Sequence, residues 1–344
     1  MNKRISILFF VLCLLISACA PAQPRTLTVM THSSFAVSED VIKAFEEANH
    51  AKVVFVQSGD AGETLNKAIL TKDAPLADVL FGVDNTFFSR ALEADIFEAY
   101  DSPALGDVLD EFKMDETHRL TPVDFGDVCI NYDKKYFLDN FLSVPQSLED
   151  LAKPDYKNLL VVENPATSST GLAFLLATRA HFGDGYLDYW KSLKENGVAV
   201  VDGWETAYYT NFSGSSGRGP QPMVVSYATS PAAEVVFAEN PVESAPTASI
   251  TDFDTCFRQV EFVGILKGTP NRDLAEKFID FMLSVQFQED MPLQMFVYPV
   301  NQNAKLPEVF IQYLQTPDEP AYLSPEEISA NRDAWIEAWT EVMK

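Results

Sequence analysis

Ala77-Asp78-Val79-Leu80-Phe81-Gly82-Val83-Asp84-Asn85 is the stretch on which the fold turns. Ala77 to Val83 reads as a short buried strand, a brief apolar run ending in a carboxylate and a carboxamide. Thr86 to Leu92 then takes up a helical pattern. A strand whose carboxyl end opens into a loop and a helix is where open α/β sheets bind ligands. Asp84 has a second reading, as the cap of the helix that follows, which is a common job for Asp.

The same unit recurs upstream. Leu27 to Thr31 reads as a strand, His32 to Ala36 as its exit loop, and Ser38 as the cap of a helix carrying Val41, Ile42, Ala44, Phe45 and Ala48. Lys52 to Gln57 is a second strand, followed by the polar turn Ser58 to Gly62 and a helix from Glu63 to Leu70. Strands alternating with helices imply a parallel sheet covered by helices, with the exit loops gathered at one edge.

Downstream, Leu120 to Tyr132 is long, extended and carries Pro122 and Gly126, which reads as a crossing strand into a second lobe. Ser147 caps a further helix. Strands follow at 159–162, 197–201 and 224–227, and a long apolar helix runs from Leu172 to Phe182. Ser213 to Pro220 lacks the lysine of a phosphate-binding loop and reads as surface. Cys256 to Leu266 is the candidate return crossing. The spacing then predicts one amphipathic helix over 271–287 and a last helix from Ser324 to Met343 that buries Ile328, Trp335, Ile336 and Trp339. The implied organisation is a signal segment over 1–18, a tether over 19–26, lobe 1 over 27–124 and 263–344, and lobe 2 over 125–262.

The chain starts Met1-Asn2-Lys3-Arg4, and Ile5 to Ile16 is apolar for about 12 residues, too short to span a bilayer but suited to a signal-peptide core. Leu15-Ile16-Ser17-Ala18-Cys19 resembles a bacterial lipobox, which implies cleavage before Cys19 and lipidation of its thiol; the alternative is an ordinary secretory signal. The expected location is the outer face of the cytoplasmic membrane or the periplasm. Formal charge is −25, and loss of Lys3 and Arg4 would take the chain to −27, which argues against nucleic acid and suits a cationic ligand. Cys129 and Cys256 would remain as an even pair in an oxidising compartment, which predicts a disulfide; two buried thiols are the alternative.

Four scattered histidines give no metal-ligand spacing, no nucleophile elbow or credible triad appears, and no cofactor motif is present. Two lobes joined by two crossings point instead to a binder that closes on a ligand by hinge motion, and not to an enzyme.

Six segments occur in order: Val29 to Phe35, Gly82 to Asn85, Thr167 to Gly171, Gly203 to Tyr208, Ser226 to Pro231 and Tyr298 to Val300. Together they resemble the thiamine-binding proteins of bacterial ABC importers, over nearly the whole chain from about Leu27 onward. The resemblance implies a type 2 periplasmic-binding-protein fold, an α/β fold of two lobes joined by two hinge crossings. It also implies a monomer that delivers thiamine or its phosphates to a membrane permease and its ATPase, with the lipid anchor holding it to the membrane. A polyamine or ferric-complex binder on the same fold is the alternative.

Thiamine combines a cationic thiazolium, a flat aminopyrimidine and an arm that can carry phosphates. Such a cation suits aromatic faces and carboxylate, while phosphate suits backbone N–H groups at helix starts. The resemblance places Trp204, Tyr227 and Phe296 as rings and Asp84 with Asn85 as polar contacts. It adds His32, Ser230, the helix start Asp60-Ala61, and the loop Ser168-Ser169-Thr170-Gly171. The family's best-known member has tyrosine where His32 and Ala233 stand and tryptophan where Phe296 stands.

Overall fold

The computed structural model describes residues 23–216, 219–238, 240, 242–252, 254–313, 315–317 and 319–344. The expected signal segment and the expected lipidation site Cys19 lie outside the described residues. Among those described, no helix is long and apolar enough to cross a membrane.

Strands β1 (Arg25–Thr31), β2 (Ala51–Gln57) and β3 (Val79–Asp84) run parallel, with β1 between the other two. Helices α1 (Glu39–Asn49), α2 (Ala61–Leu70) and α3 (Phe88–Glu93) follow them in turn, as the alternation predicts. The register continues through β4 (Phe97–Glu98), β5 (Thr121–Asp133), β6 (Leu160–Glu163), β7 (Ala199–Val201), β8 (Met223–Tyr227), β9 (Thr247–Ile250), β10 (Phe257–Leu266) and β11 (Tyr298–Pro299). These strands form one continuous sheet in the order β2-β1-β3-β10-β5-β8-β6-β7, with β4 on β10 and with β9 and β11 on β5.

β5 and β10 are the two crossings. β10 pairs antiparallel with β3 through Glu261–Ile265 and with β5 through Phe257–Val263. The far end of β5, Val128–Tyr132, pairs with β8. Cys129 and Cys256 form a disulfide beside the Phe257–Val128 pair, tying the crossings together. Cys256 itself stands just before the strand that was expected to include it.

The two crossings are irregular at one level. Between Glu261 and Phe262 the β5 register skips Val123, and between Phe262 and Val263 the β3 register skips Gly82. Bulges of this kind turn side chains to new directions and concentrate beside functional sites. Gly82 has φ +97°, and a Cβ there would lie 2.4 Å from His32 Cδ2, so glycine meets both the backbone and the packing requirement.

The described helices that matter further along are α4 (Ser169–Phe182), α5 (Tyr186–Glu195), α6 (Ser230–Val236), α7 (Arg272–Met282), α8 (Val285–Gln294) and α9 (Pro325–Met343). The single helix expected over 271–287 is instead two. Leu283 closes α7, and Ser284 starts α8 by accepting a hydrogen bond from the Phe287 N–H. A competing N-cap inside an apolar pattern does not disturb its periodicity, which is why the break escapes notice. α9 begins as read, with the Ser324 hydroxyl accepting from the Glu327 N–H and Pro325 at the first position. It packs on α5 and on α3, and Trp339 meets Trp190 edge-on at 5.5 Å. Ile336 is only half-buried there, unlike Ile328, Trp335 and Trp339.

Candidate binding pocket

A cavity of about 450 Å³ opens where the exit loops of the sheet meet the segments after β7 and β8. His32 to Ala36, the loop after β1, form one wall, and Asp60 with Ala61 at the start of α2 form the next. Ser169 and Thr170 open α4 on the opposite side. Trp204, Tyr227, Ser230 and Phe296 complete the set expected from the sequence that reaches the cavity.

Asp60 ties these walls together. One carboxylate oxygen accepts from the Ala61 N–H at 2.7 Å and the Ser169 N–H at 3.4 Å. The other accepts from the Trp204 N–H at 3.0 Å. The Ser169 N–H is the helix-start donor expected for a ligand phosphate, and it already faces a carboxylate.

The rings are held from behind. The Trp204 indole N–H donates to Ser226 Oγ at 2.9 Å, and its plane stacks on Tyr208 at 5.0 Å and 17°. A helical turn of π type, Thr206–Asn211, follows Trp204 and sets Tyr208 against it. The Tyr208 hydroxyl donates to Glu234 on α6 at 2.6 Å. Tyr227 ends β8 and donates its hydroxyl to Gln259 at 2.8 Å. Its ring lies over Gly126, where a Cβ would come within 2.7 Å. Phe296 adopts φ 56°, stacks on Phe310 at 6.0 Å and meets Phe237 edge-on at 5.2 Å. Its carbonyl accepts from the Thr229 hydroxyl.

Four expected residues stand behind the wall. Asp84 is fully buried, and one of its oxygens accepts from the Thr86 N–H at 2.7 Å and the Thr86 hydroxyl at 2.5 Å. Burial pushes its pKa up to about 6 against those bonds, with Glu261's charge adding to the rise. Asn85 is spent on β10: its amide donates to the Arg258 carbonyl at 2.9 Å and its oxygen accepts from the Val260 N–H at 3.1 Å. Ser168 precedes α4, fully buried, with its hydroxyl 3.0 Å from that of Thr170. Gly171 packs on β6, where a Cβ would sit 2.5 Å from the Glu163 carbonyl oxygen.

The cavity also has a wall that the sequence reading passed over: Glu205, Tyr208, Tyr209, Glu234, Phe237 and Glu261. Tyr208 and Tyr209 follow Trp204 at the spacing of a helical turn, which was legible. Glu261 is the one carboxylate of β10 and interrupts its apolar run from Val260 to Leu266, and that too was a signal. The described lining therefore carries four carboxylates, Asp60, Glu205, Glu234 and Glu261, and neither lysine nor arginine. Rings and negative charge in a partly enclosed space favour a flat organic cation.

Residues 74–313 match the family of bacterial extracellular solute-binding proteins. The chain is 31% identical over 332 residues to a thiamine-binding periplasmic protein of Salmonella typhimurium, covering 95% of this chain and 96% of that one. It is 29% identical over 351 residues to the thiamine-binding periplasmic protein of Brucella suis, covering 98% of each. The solved structure of a periplasmic thiamin binding protein superposes with a TM-score of 0.83 at 28% identity, over 94% of this chain and 98% of that one.

Proposed function

Because the chain belongs to the family of bacterial extracellular solute-binding proteins, we propose that its solute is thiamine, taken between two lobes and delivered to an ABC permease and its ATPase. The observation that carries this reading is the pocket itself, with Trp204, Tyr208, Tyr227 and Phe296 as rings and four carboxylates unopposed by any lysine or arginine of the described lining. A thiazolium gains from both kinds of group, and the aminopyrimidine gains from the rings. The thiamine-binding proteins of Salmonella typhimurium and Brucella suis, alike along nearly their full length, support the same ligand.

Asp60 bears on the choice between thiamine and its phosphates. Its carboxylate lies against the Ser169 N–H, where a phosphate would seek the start of α4. Two negative groups cannot share that donor without loss, so the unphosphorylated vitamin is the favoured form. The ligand contacts we assign are His32, Asp60, Ala61, Ser169, Thr170, Trp204, Tyr227, Ser230 and Phe296. Asp84, Asn85, Ser168 and Gly171 act behind them, as supports.

The lobes in this reading are 27–124 with 263–344, and 125–262, hinged on β5 and β10. The protein works as an exported monomer, tethered through a lipid on Cys19, and catalyses nothing. Calorimetric titration with thiamine, thiamine diphosphate and spermidine tests the ligand. Saturable binding of thiamine with quenching of Trp204 fluorescence is expected. Heat with spermidine and none with any thiamine form would replace the reading with the polyamine alternative.

A further inference from the structure

Three carboxylates stand in one row across the crossings. Asp84 on β3 is the register partner of Glu261 on β10, and Glu261 is the register partner of Asp124 on β5. Residues directly opposite one another in antiparallel strands share a face, and like charges so placed repel. Only Glu261 of the three reaches the cavity wall. Asp84 and Asp124 are fully buried behind it. Neither oxygen of Asp124, nor the second oxygen of Asp84, accepts from an N–H or hydroxyl donor among the described residues, and the Asp124 carboxyl lies within hydrogen-bonding reach of Glu261.

Burial and then Glu261's charge push the Asp124 carboxyl well above the usual carboxylate range, and Asp84 is pushed up to about 6. Glu261 is the carboxylate of the row that faces the cavity. The group opposite it is His32, whose Nε2 lies 3.4 Å from Glu261 Oε1. That nitrogen has no aligned hydrogen bond among the described residues, although His32 is only 8% exposed. Burial would lower the imidazole's pKa, but Glu261, with Asp60 and Asp84 beyond it, more than offsets burial and raises it. The other titratable groups facing this row are the Tyr227 phenol and, toward Asp84, Arg332.

We propose that Glu261 is the anchor for the ligand's positive ring and that His32, as imidazolium, holds that place in the empty pocket, so that each cation bound expels one proton from His32 to solvent. This rests on the cationic ligand argued above. The exchange conserves charge at the wall: one positive group leaves Glu261 as another arrives. Affinity accordingly falls as pH drops through the pKa of His32 in the free protein and is flat above it.

Two measurements test this with the mature chain. Thiamine is titrated calorimetrically in two buffers of different ionisation enthalpy across a pH series. The expected release approaches about one proton per thiamine at the acid end and none at the alkaline end, with affinity changing by up to about tenfold per pH unit between. His32→Gln is expected to abolish the release and flatten the profile, and Glu261→Gln to weaken binding at least about tenfold at the alkaline end and by less as pH falls and His32 is protonated. Thiamine binding without proton release at any pH, or a full pH profile surviving in His32→Gln, would overturn the proposal. The second measurement needs no ligand: the His32 ring is titrated by NMR, assigned by its loss in His32→Gln. Its pKa should drop in Glu261→Gln, and an unchanged value would overturn the pairing. Failure of thiamine to bind at all would count against the functional reading and leave the NMR result to decide the pair.

Discussion

The loop after β2 and the loop after β3 begin from the same plan and end in different employment. Each follows a parallel strand, β2 partly exposed at the edge and β3 buried, each presents an aspartate, and each leads into a helix. Asp60 reaches outward: its carboxylate joins the starts of α2 and α4 and the backbone of Trp204. Asp84 turns inward, closing a turn on Thr86 with no exposed surface. The difference comes from neighbours. β2 is an edge strand, so its exit loop is free to approach the segments after β6 and β7. β3 is flanked by β1 and β10, and the bulge at Gly82 lays His32 and Glu261 over the end of the strand. A carboxylate at a strand end is a ligand contact only where the next strand leaves it uncovered.

The comparison can be broken most forcibly at the bulge. Gly82→Ala should cost about 3 kcal/mol, combining a left-handed backbone with a Cβ driven toward His32. Chemical denaturation reads this directly; an unchanged midpoint would mean that the bulge does not hold the covered side in place. Trp204→Ala should come next, weakening thiamine by about 30-fold, on the order of 2 kcal/mol for a desolvated cation over a ring. Titration calorimetry checks it, and unaltered affinity would remove Trp204 from the ligand.

Asp60→Ala should cost about 1 kcal/mol of stability as a lost helix cap, with a matching loss of thiamine affinity through the freed Trp204 backbone. Asp84→Asn should change thiamine affinity less than about threefold, under about 0.7 kcal/mol. Its signature lies in stability against pH. Because burial raises this carboxyl in the folded protein to about 6, the stability linked to its proton is fully present below the unfolded value near 4 and is lost as pH rises through about 6. Asn cannot ionise, so thermal melts of the variant should gain on the natural protein between about pH 4 and 7, by roughly 2–3 kcal/mol. A parallel pH profile in the two proteins would show that Asp84 is not desolvated.

The strand–helix alternation from β1 to α3, the two crossings and the helix starts at Ser38 and Ser324 were all legible in local pattern. For the pocket, local pattern gave only the convergence of exit loops at one edge of a parallel sheet; its individual wall residues came from the family resemblance. What local pattern does not carry is depth. Asp84, Asn85, Ser168 and Gly171 sit in the right loops and face the wrong way, because β10, which covers the first two, is far off in the chain. Glu261 was missed for the complementary reason: a carboxylate inside a strand looks structural until a bulge turns it toward a cavity. The break between α7 and α8 was invisible because Ser284 interrupts the backbone and leaves the apolar spacing intact.

A preference for a bare organic cation follows from Asp60 standing where a phosphate would dock. Its most direct test is competition between thiamine and thiamine diphosphate for the natural protein and for Asp60→Asn. Thiamine should bind more tightly to the natural protein, and the gap should narrow in the variant. Diphosphate binding as tightly as thiamine or more so, with no change on losing the Asp60 charge, would contradict that preference.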